Sequence, residues 1–207
     1  MTWVAYRITA SDSANRTASI DLRYTIRQPG DTTQTDTTQT DTSSIRLFNN
    51  VTLSSTTPHF STSTGRTYSD SQGPTNARVI DISYFYSSAS GQNISSAGAR
   101  KDPLYASFQL PWGVHSVEYR ELSISTQFNN INTAAEIEAA FQSGTPTEVP
   151  NTPPGTRFNS TSGNFLYGNT FAFRTQNGNK YGLLRLERVT SGGPVGGAHI
   201  ISVKVQK

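Results

Sequence analysis

The sequence predicts an all-β protein, a β-sandwich of immunoglobulin-like or jelly-roll-like type with one short helix near residues 133–142. Three observations lead there. Apolar and polar residues alternate in many brief runs, the period of a half-buried strand. Clusters of Gly, Pro, Asn and Ser separate those runs. Only one stretch has the three-and-four spacing of an amphipathic helix. Composition sets the scale of the core: 207 residues are 33% hydrophobic, 15% charged and 10% aromatic, with a net charge of +3. Disordered chains combine low hydrophobicity with high net charge, and this chain has only the first. Large rings bury much area each, so a thin, aromatic-rich core under wide polar loops is expected.

Residues 1–28 read as a β-hairpin. Val4, Tyr6 and Ile8 alternate with Trp3, Ala5 and Arg7; after a polar turn, Ile20, Leu22, Tyr24 and Ile26 alternate with Asp21, Arg23 and Thr25. An isolated hairpin is marginal in water, so these seven apolar residues form a candidate assembly arm that must dock on its own domain or on a neighbour. Residues 29–44 contain Asp31-Thr-Thr-Gln-Thr, then Asp36-Thr-Thr-Gln-Thr, then Asp41-Thr42. A run this polar is expected to be a linker or long exposed loop. The spacing of Asp31, Asp36 and Asp41 lacks the dense oxygen ligands of a calcium loop. Residues 45–207 form the sandwich domain.

Within that domain Ile45–Leu53 is strand-like, and Val79–Tyr86 is the strongest strand, rich in β-branched and aromatic residues. Val117–Ile124 is a weaker strand with Val117 and Tyr119 on one face. Phe171 and Phe173 mark another, and Asn177-Gly178 suits a tight turn. The last strand is expected to turn Ile201, Val203 and Val205 inward and Ser202, Lys204 and Gln206 outward. The helix has a legible start: Thr133 with Glu136 forms a capping box, Ile137, Ala140 and Phe141 share a face, and Gly144 and Pro146 stop it.

Several function classes find no footing. The chain has no cysteine, so disulfides, thiol catalysis and Cys-based zinc sites are excluded. Seventeen basic residues, mostly Arg, are scattered with no basic run, so no nucleic-acid footprint is read. No apolar stretch approaches the ~18 residues of a membrane span. Met1–Ala5 has neither the basic start nor the apolar block of a signal peptide. With this composition, an extracellular or outer-surface protein whose targeting segment is absent from the chain is expected. No cofactor or metal is called for.

Candidate chemistry is sparse. His59, His115 and His199 lie far apart and read as isolated loop or strand residues. Asp81 should face solvent or pair with an arginine. Glu118 and Glu121 fall on opposite strand faces, which argues against a paired-carboxylate glycosidase site. Tyr105, Phe108 and Trp112, between Pro103 and Pro111, form an aromatic cluster that either plugs the end of the sandwich or offers rings to a sugar. Gly192–Gly197 lacks the helix and lysine of a phosphate loop.

Residues 51–68 (Val-Thr-Leu, then Phe-Ser-Thr-Ser-Thr-Gly-Arg-Thr-Tyr), Ile80-Asp-Ile-Ser-Tyr-Phe-Tyr86, Lys101-Asp-Pro103, the helix Thr133–Gln142, Lys180-Tyr-Gly-Leu-Leu184 and the closing strand Ile201–Val205 together resemble exported surface lipoproteins of the Bacteroidetes, over residues 45–207. The resemblance implies a β-rich outer-surface protein, in some cases a glycan-binding partner of an outer-membrane uptake system. The lipid-bearing cysteine of that group is absent. The resemblance also implies O-glycosylation after Asp, for which Ser13, Thr32 and Thr37 are candidates. Asn15, Asn50, Asn93 and Asn159 head Asn-x-Ser/Thr triplets.

The expected function is non-enzymatic: adhesion or self-assembly at the cell surface, as a fibre subunit using the N-terminal arm. The alternative is a glycan-binding module built on Tyr105, Phe108 and Trp112. Partners would be copies of itself, other cell-surface proteins or glycans.

Overall fold

Short alternating runs become strands wherever a second run can complete their backbone hydrogen bonds, and the chain supplies many. The computed structural model describes residues 2–11, 17–26, 38–41, 44–88, 91–101, 108–123, 128–147, 157–159, 168–176, 179–190 and 197–207. It divides into two compact units, Met1–Gln34 and Thr35–Lys207.

The first unit is a ribbon of β1 (Thr2–Ser11) and β2 (Thr17–Ile26). Their antiparallel register sets Val4 opposite Tyr24, Tyr6 opposite Leu22 and Ile8 opposite Ile20, with Thr2 opposite Ile26. The alternate pairs are Ala5 with Arg23, Arg7 with Asp21 and Thr9 with Ser19. One alternating row is therefore apolar and the other largely polar.

The second unit begins with a correction. The stretch expected as linker or loop, 29–44, contains a strand, β3 (Thr38–Asp41), which pairs with β4 (Ile45–Ser54) in register Thr38–Asn49 to Asp41–Arg46. A strand without apolar residues is tolerable here because β3 is the edge of its sheet, where ladder hydrogen bonds suffice. The remaining strands are β5 (His59–Phe60), β6 (Thr67–Tyr68), β7 (Ile82–Ser87), β8 (Gly91–Ser96), β9 (Val117–Glu121), β10 (Thr145–Pro146), β11 (Arg157–Asn159), β12 (Thr170–Thr175), β13 (Tyr181–Thr190) and β14 (Ala198–Gln206). A one-turn helix, α1 (Gly73–Asn76), precedes β7, and α2 (Ala134–Ser143) precedes β10. The strands form a seven-stranded sheet, β10-β9-β12-β13-β14-β4-β3, and a five-stranded sheet, β11-β8-β7-β5-β6, with antiparallel pairing throughout.

The main core lies between the sheets. Phe48, Val51 and Leu53 of β4, Val117 and Tyr119 of β9, Phe171 and Phe173 of β12, Leu184 and Leu186 of β13, and Ile201, Val203 and Val205 of β14 meet Phe60, Ile82, Tyr84 and Ile94 of the smaller sheet. The jump from Phe48 to Val51 reflects a bulge: Ile201 faces Val51 while Val203 faces Phe48. The extra residue restores the inward phase of β4, with Asn50 at φ +55°. Gly182 lies against Phe173, where a methyl group would overlap the ring.

The other face of the seven-stranded sheet is covered as well. Ile137, Ala140 and Phe141 of α2 join Phe128 in packing on Ile45, Leu122, Ala172 and Leu183. The helix starts as the sequence predicts: Thr133 Oγ1 accepts from the Glu136 amide, and Glu136 accepts from the amides of Asn132 and Thr133. Lys204, expected to face outward into solvent, is 3% exposed beneath this layer. Its ammonium donates to the carbonyls of Phe128 and Ile131 and to Asn132 Oδ1 at 2.8, 2.6 and 3.0 Å. Gln206 donates to the Ala134 carbonyl.

Candidate functional site

The outer face of the five-stranded sheet is the region richest in buried polar groups. On β7, Ile82 and Tyr84 point to the core between the sheets, so Ser83 and Phe85 point away, yet both are buried. On β8, Asn93 and Ser95 are likewise fully buried. The cover includes the segments around Arg100, Phe108–Trp112 and α1. Strand β8 gave little sequence signal because Gly-Gln-Asn-Ile-Ser-Ser is mostly small and polar. Local bonds make its burial tolerable: Asn93 Nδ2 donates to the Gly91 carbonyl, Ser95 Oγ to the Ser83 carbonyl, and Ser96 Oγ accepts from the Val117 amide.

At the centre stands a His–Asp–Ser chain. His59 Nε2 is 2.9 Å from Asp70 Oδ1, and His59 Nδ1 is 2.9 Å from Ser83 Oγ. A carboxylate only accepts, so Nε2 carries the hydrogen and Nδ1 accepts from the Ser83 hydroxyl. Burial pushes the His59 pKa down, against the opposing pull of Asp70, so the ring is neutral near pH 7. Asp70 is held below its ordinary value chiefly by the hydrogen bond from His59. The residue types are those of a hydrolytic triad, but the exposures are reversed. A nucleophilic serine must meet substrate, and its acid partner sits buried. Here Ser83 is fully buried, while the Asp70 side chain is 73% exposed. The chain of bonds ties β5 to β7 and to the turn that precedes α1. Residues 11 and 24 positions apart carry no spacing signal, which is why His59 read as isolated.

Trp112 packs edge-on against His59, with ring centres 4.8 Å apart. Its benzenoid edge lies on Gly73, where an added methyl group would overlap the ring. Phe108 instead stacks on Phe85 at 4.8 Å. The Arg100 guanidinium lies over Phe85, and Arg100 Nε donates to the Phe108 carbonyl. Phe108 and Trp112 thus serve separate contacts on the outer sheet face. Tyr105 lies outside the described residues.

Asp81 is neither solvent-facing nor bonded to an arginine in the manner expected. It lies just before β7 and is 1% exposed, with Oδ2 accepting from the Thr62 amide and hydroxyl at 2.9 and 2.7 Å. Burial raises its pKa, and the Thr62 bonds oppose that rise. Glu118 bridges Arg120 and Arg174, whose guanidinium groups lie over the Phe141 ring. His115 bonds the Arg78 carbonyl. No cluster of three His, Asp or Glu side chains suited to a metal occurs among the described residues.

The glycosylation candidates Ser13, Thr32 and Thr37 lie outside the described residues, as do Asn15 and the Asn177-Gly178 turn. Asn93 is fully buried, which removes it as an acceptor in the folded chain, whereas Asn50 is exposed on its bulge. The seven arm residues fall in the single apolar row of the β1–β2 ribbon. No helix among the described residues is long and apolar enough to cross a membrane.

No protein-family model and no curated protein matches the chain. Among solved structures, a DUF4466 family protein from Parabacteroides merdae ATCC 43184 is similar over 98% of this chain and 62% of its own, with a TM-score of 0.56 and 13% identity. The chain thus spans less than two thirds of that protein, and at this identity the likeness is one of fold: a β-rich architecture also found in a member of the Bacteroidetes.

Proposed function

We propose that the protein acts by association rather than catalysis, as a cell-surface protein that assembles with copies of itself through the β1–β2 ribbon. The observation that carries this reading is the register of that ribbon. Val4, Tyr6, Ile8, Ile20, Leu22, Tyr24 and Ile26 fall in one row of a two-stranded unit. Two strands alone cannot bury such a row, and an isolated hairpin is marginal. Docking on a second copy would supply a covering layer, in the manner of strand- and sheet-mediated recognition. A surface location is supported by the Ser/Thr-rich composition and by the Bacteroidetes resemblance; lipid anchoring or adhesion would belong to the same setting.

The glycan reading receives less support, because Trp112 is committed to His59 and Gly73, and Phe108 to Phe85. The absence of catalysis is supported by the burial of Ser83 in the His–Asp–Ser chain. Sedimentation velocity over a hundredfold range of concentration tests the proposal, with Leu22→Arg as the comparison. Concentration-dependent oligomers that Leu22→Arg abolishes are expected. A monomer at every concentration, or oligomers indifferent to the substitution, would overturn it.

A further inference from the structure

The last strand sets a buried amine beside a carboxamide. Lys204 is 3% exposed, and its Nζ lies 3.0 Å from Oδ1 of Asn132, 72 residues earlier in the chain. The Phe128 and Ile131 carbonyls accept from the same nitrogen, and the Phe128 ring centre is 4.7 Å from it. The Asn132 carboxamide is held at both ends: Oδ1 accepts from Lys204, and Nδ2 donates to the Asn129 carbonyl at 2.9 Å. The Asn132 backbone amide donates to Glu136 Oε2 at 2.7 Å, which places a carboxylate on the same short segment.

An amine and a carboxamide are the reactants of an amide exchange. In water that reaction is slow, because the amine is protonated and the two groups seldom meet in a productive geometry. Both obstacles are lowered here. Burial, aided by Arg185 and opposed by Glu136, holds the Lys204 pKa below its ordinary value. Fixed orientation replaces a chance encounter, an effect equivalent to about 10⁵ M or more of reactant in well-aligned intramolecular reactions. Cγ of Asn132 is one bond beyond Oδ1, within the swing of the flexible lysine stem. Hydrogen bonds from Asn132 and Thr133 hold the Glu136 carboxyl below its ordinary value, so it is ionised and ready to take a proton.

We propose that Lys204 and Asn132 join in an isopeptide bond, a covalent staple between β14 and the segment that leads into α2. Glu136 takes a proton from the Lys204 ammonium, and the free amine attacks Asn132 Cγ. The Nζ–Cγ bond forms and the Cγ–Nδ2 bond breaks, with Glu136 returning its proton to Nδ2. A second Nζ proton follows the departing ammonia, which leaves as ammonium. One lysine ammonium and one carboxamide thus become one secondary amide and one ammonium ion, with no oxidant or cofactor. Asn132 is exposed, so the leaving group escapes to water. The staple fastens the start of α2 to the sheet in a chain that has no cysteine to do so, and cross-links between residues far apart in sequence restrict the unfolded chain most. It lies within the second unit and does not depend on the proposed assembly.

Mass spectrometry of the purified full chain, kept folded at mildly alkaline pH, tests this. The intact mass should fall below that of the sequence by one molecule of ammonia, and digestion should release a branched peptide joining Asn132 to Lys204. Asn132→Ala, which leaves Lys204 its two backbone acceptors, should keep its full mass. Glu136→Gln, which retains a residue suited to the capping box, should lose ammonia more slowly. A wild-type chain that keeps its full mass would overturn the proposal. So would an ammonia loss that persists in Asn132→Ala, the mark of a succinimide elsewhere, or a rate of loss indifferent to Glu136→Gln.

Discussion

The sandwich and the ribbon treat their apolar rows in opposite ways. The seven-stranded sheet has apolar residues on both faces, and the chain covers both: the five-stranded sheet on one side, α2 and the Phe128 turn on the other. The five-stranded sheet carries small polar groups on its outer face, and these too are covered and hydrogen-bonded. The ribbon has one apolar row, and its own unit, among the described residues, contains only its two strands. Within each unit taken by itself, the sandwich covers its own apolar faces, whereas two strands alone cannot bury an apolar row; that contrast is the basis of the proposed association.

The largest effect is expected from removing a cover of the sandwich. Lys204→Met leaves three acceptors without their donor. It should lower the unfolding free energy by about 2–4 kcal/mol, read from urea midpoints, and strip exchange protection from α2 first. Gly73→Ala drives a methyl group into Trp112 and should lower stability by about 1–3 kcal/mol, with the Trp112 fluorescence spectrum shifting as its contact with His59 is disturbed. An unchanged spectrum would show that Trp112 is not held there.

A smaller effect sharpens the account of the buried polar face. The folded state raises the Asp81 pKa through burial. Whatever stability this carboxyl contributes is complete below its unfolded value and is lost as pH rises through the folded one. At pH 7 the buried carboxylate is therefore a net cost. Asp81→Asn should raise stability at pH 7, by no more than about 1 kcal/mol because one Thr62 bond is weakened, and the gain should vanish below about pH 4. The smallest effect belongs to the ribbon: Leu22→Arg should shift the sandwich's melting by less than about 0.5 kcal/mol, while the proposed association should be lost.

Much of the fold was legible because alternation reports directly on burial. Val117 and Tyr119, Phe171 and Phe173, and Ile201, Val203 and Val205 all point inward as their period implies. The α2 capping box and its apolar face follow from local chemistry that needs no tertiary context. Other elements were hidden for physical reasons. Strand β7 starts at Ile82, after the run Val79–Asp81 that looked like its beginning. Strands β3 and β8 are made by pairing, not by their own apolar content. Lys204 reads as a solvent-facing lysine because its three oxygen partners lie more than 70 residues away in sequence. His59, Asp70 and Ser83 converge only once β5 is paired with β7 and the turn at Asp70 is folded back on them. The aromatic segment was recognised as a cluster, but only a structure could divide Phe108 from Trp112 between separate contacts.

The central claim is that the apolar row of the ribbon rests on another copy of the chain. A photoreactive benzoylphenylalanine placed at Tyr6, in a mixture of isotopically heavy and light chains, addresses it without assuming a geometry. Cross-linked peptides joining heavy to light chains are predicted. Links confined to heavy–heavy and light–light pairs, the signature of a ribbon folded back on its own chain, would contradict it.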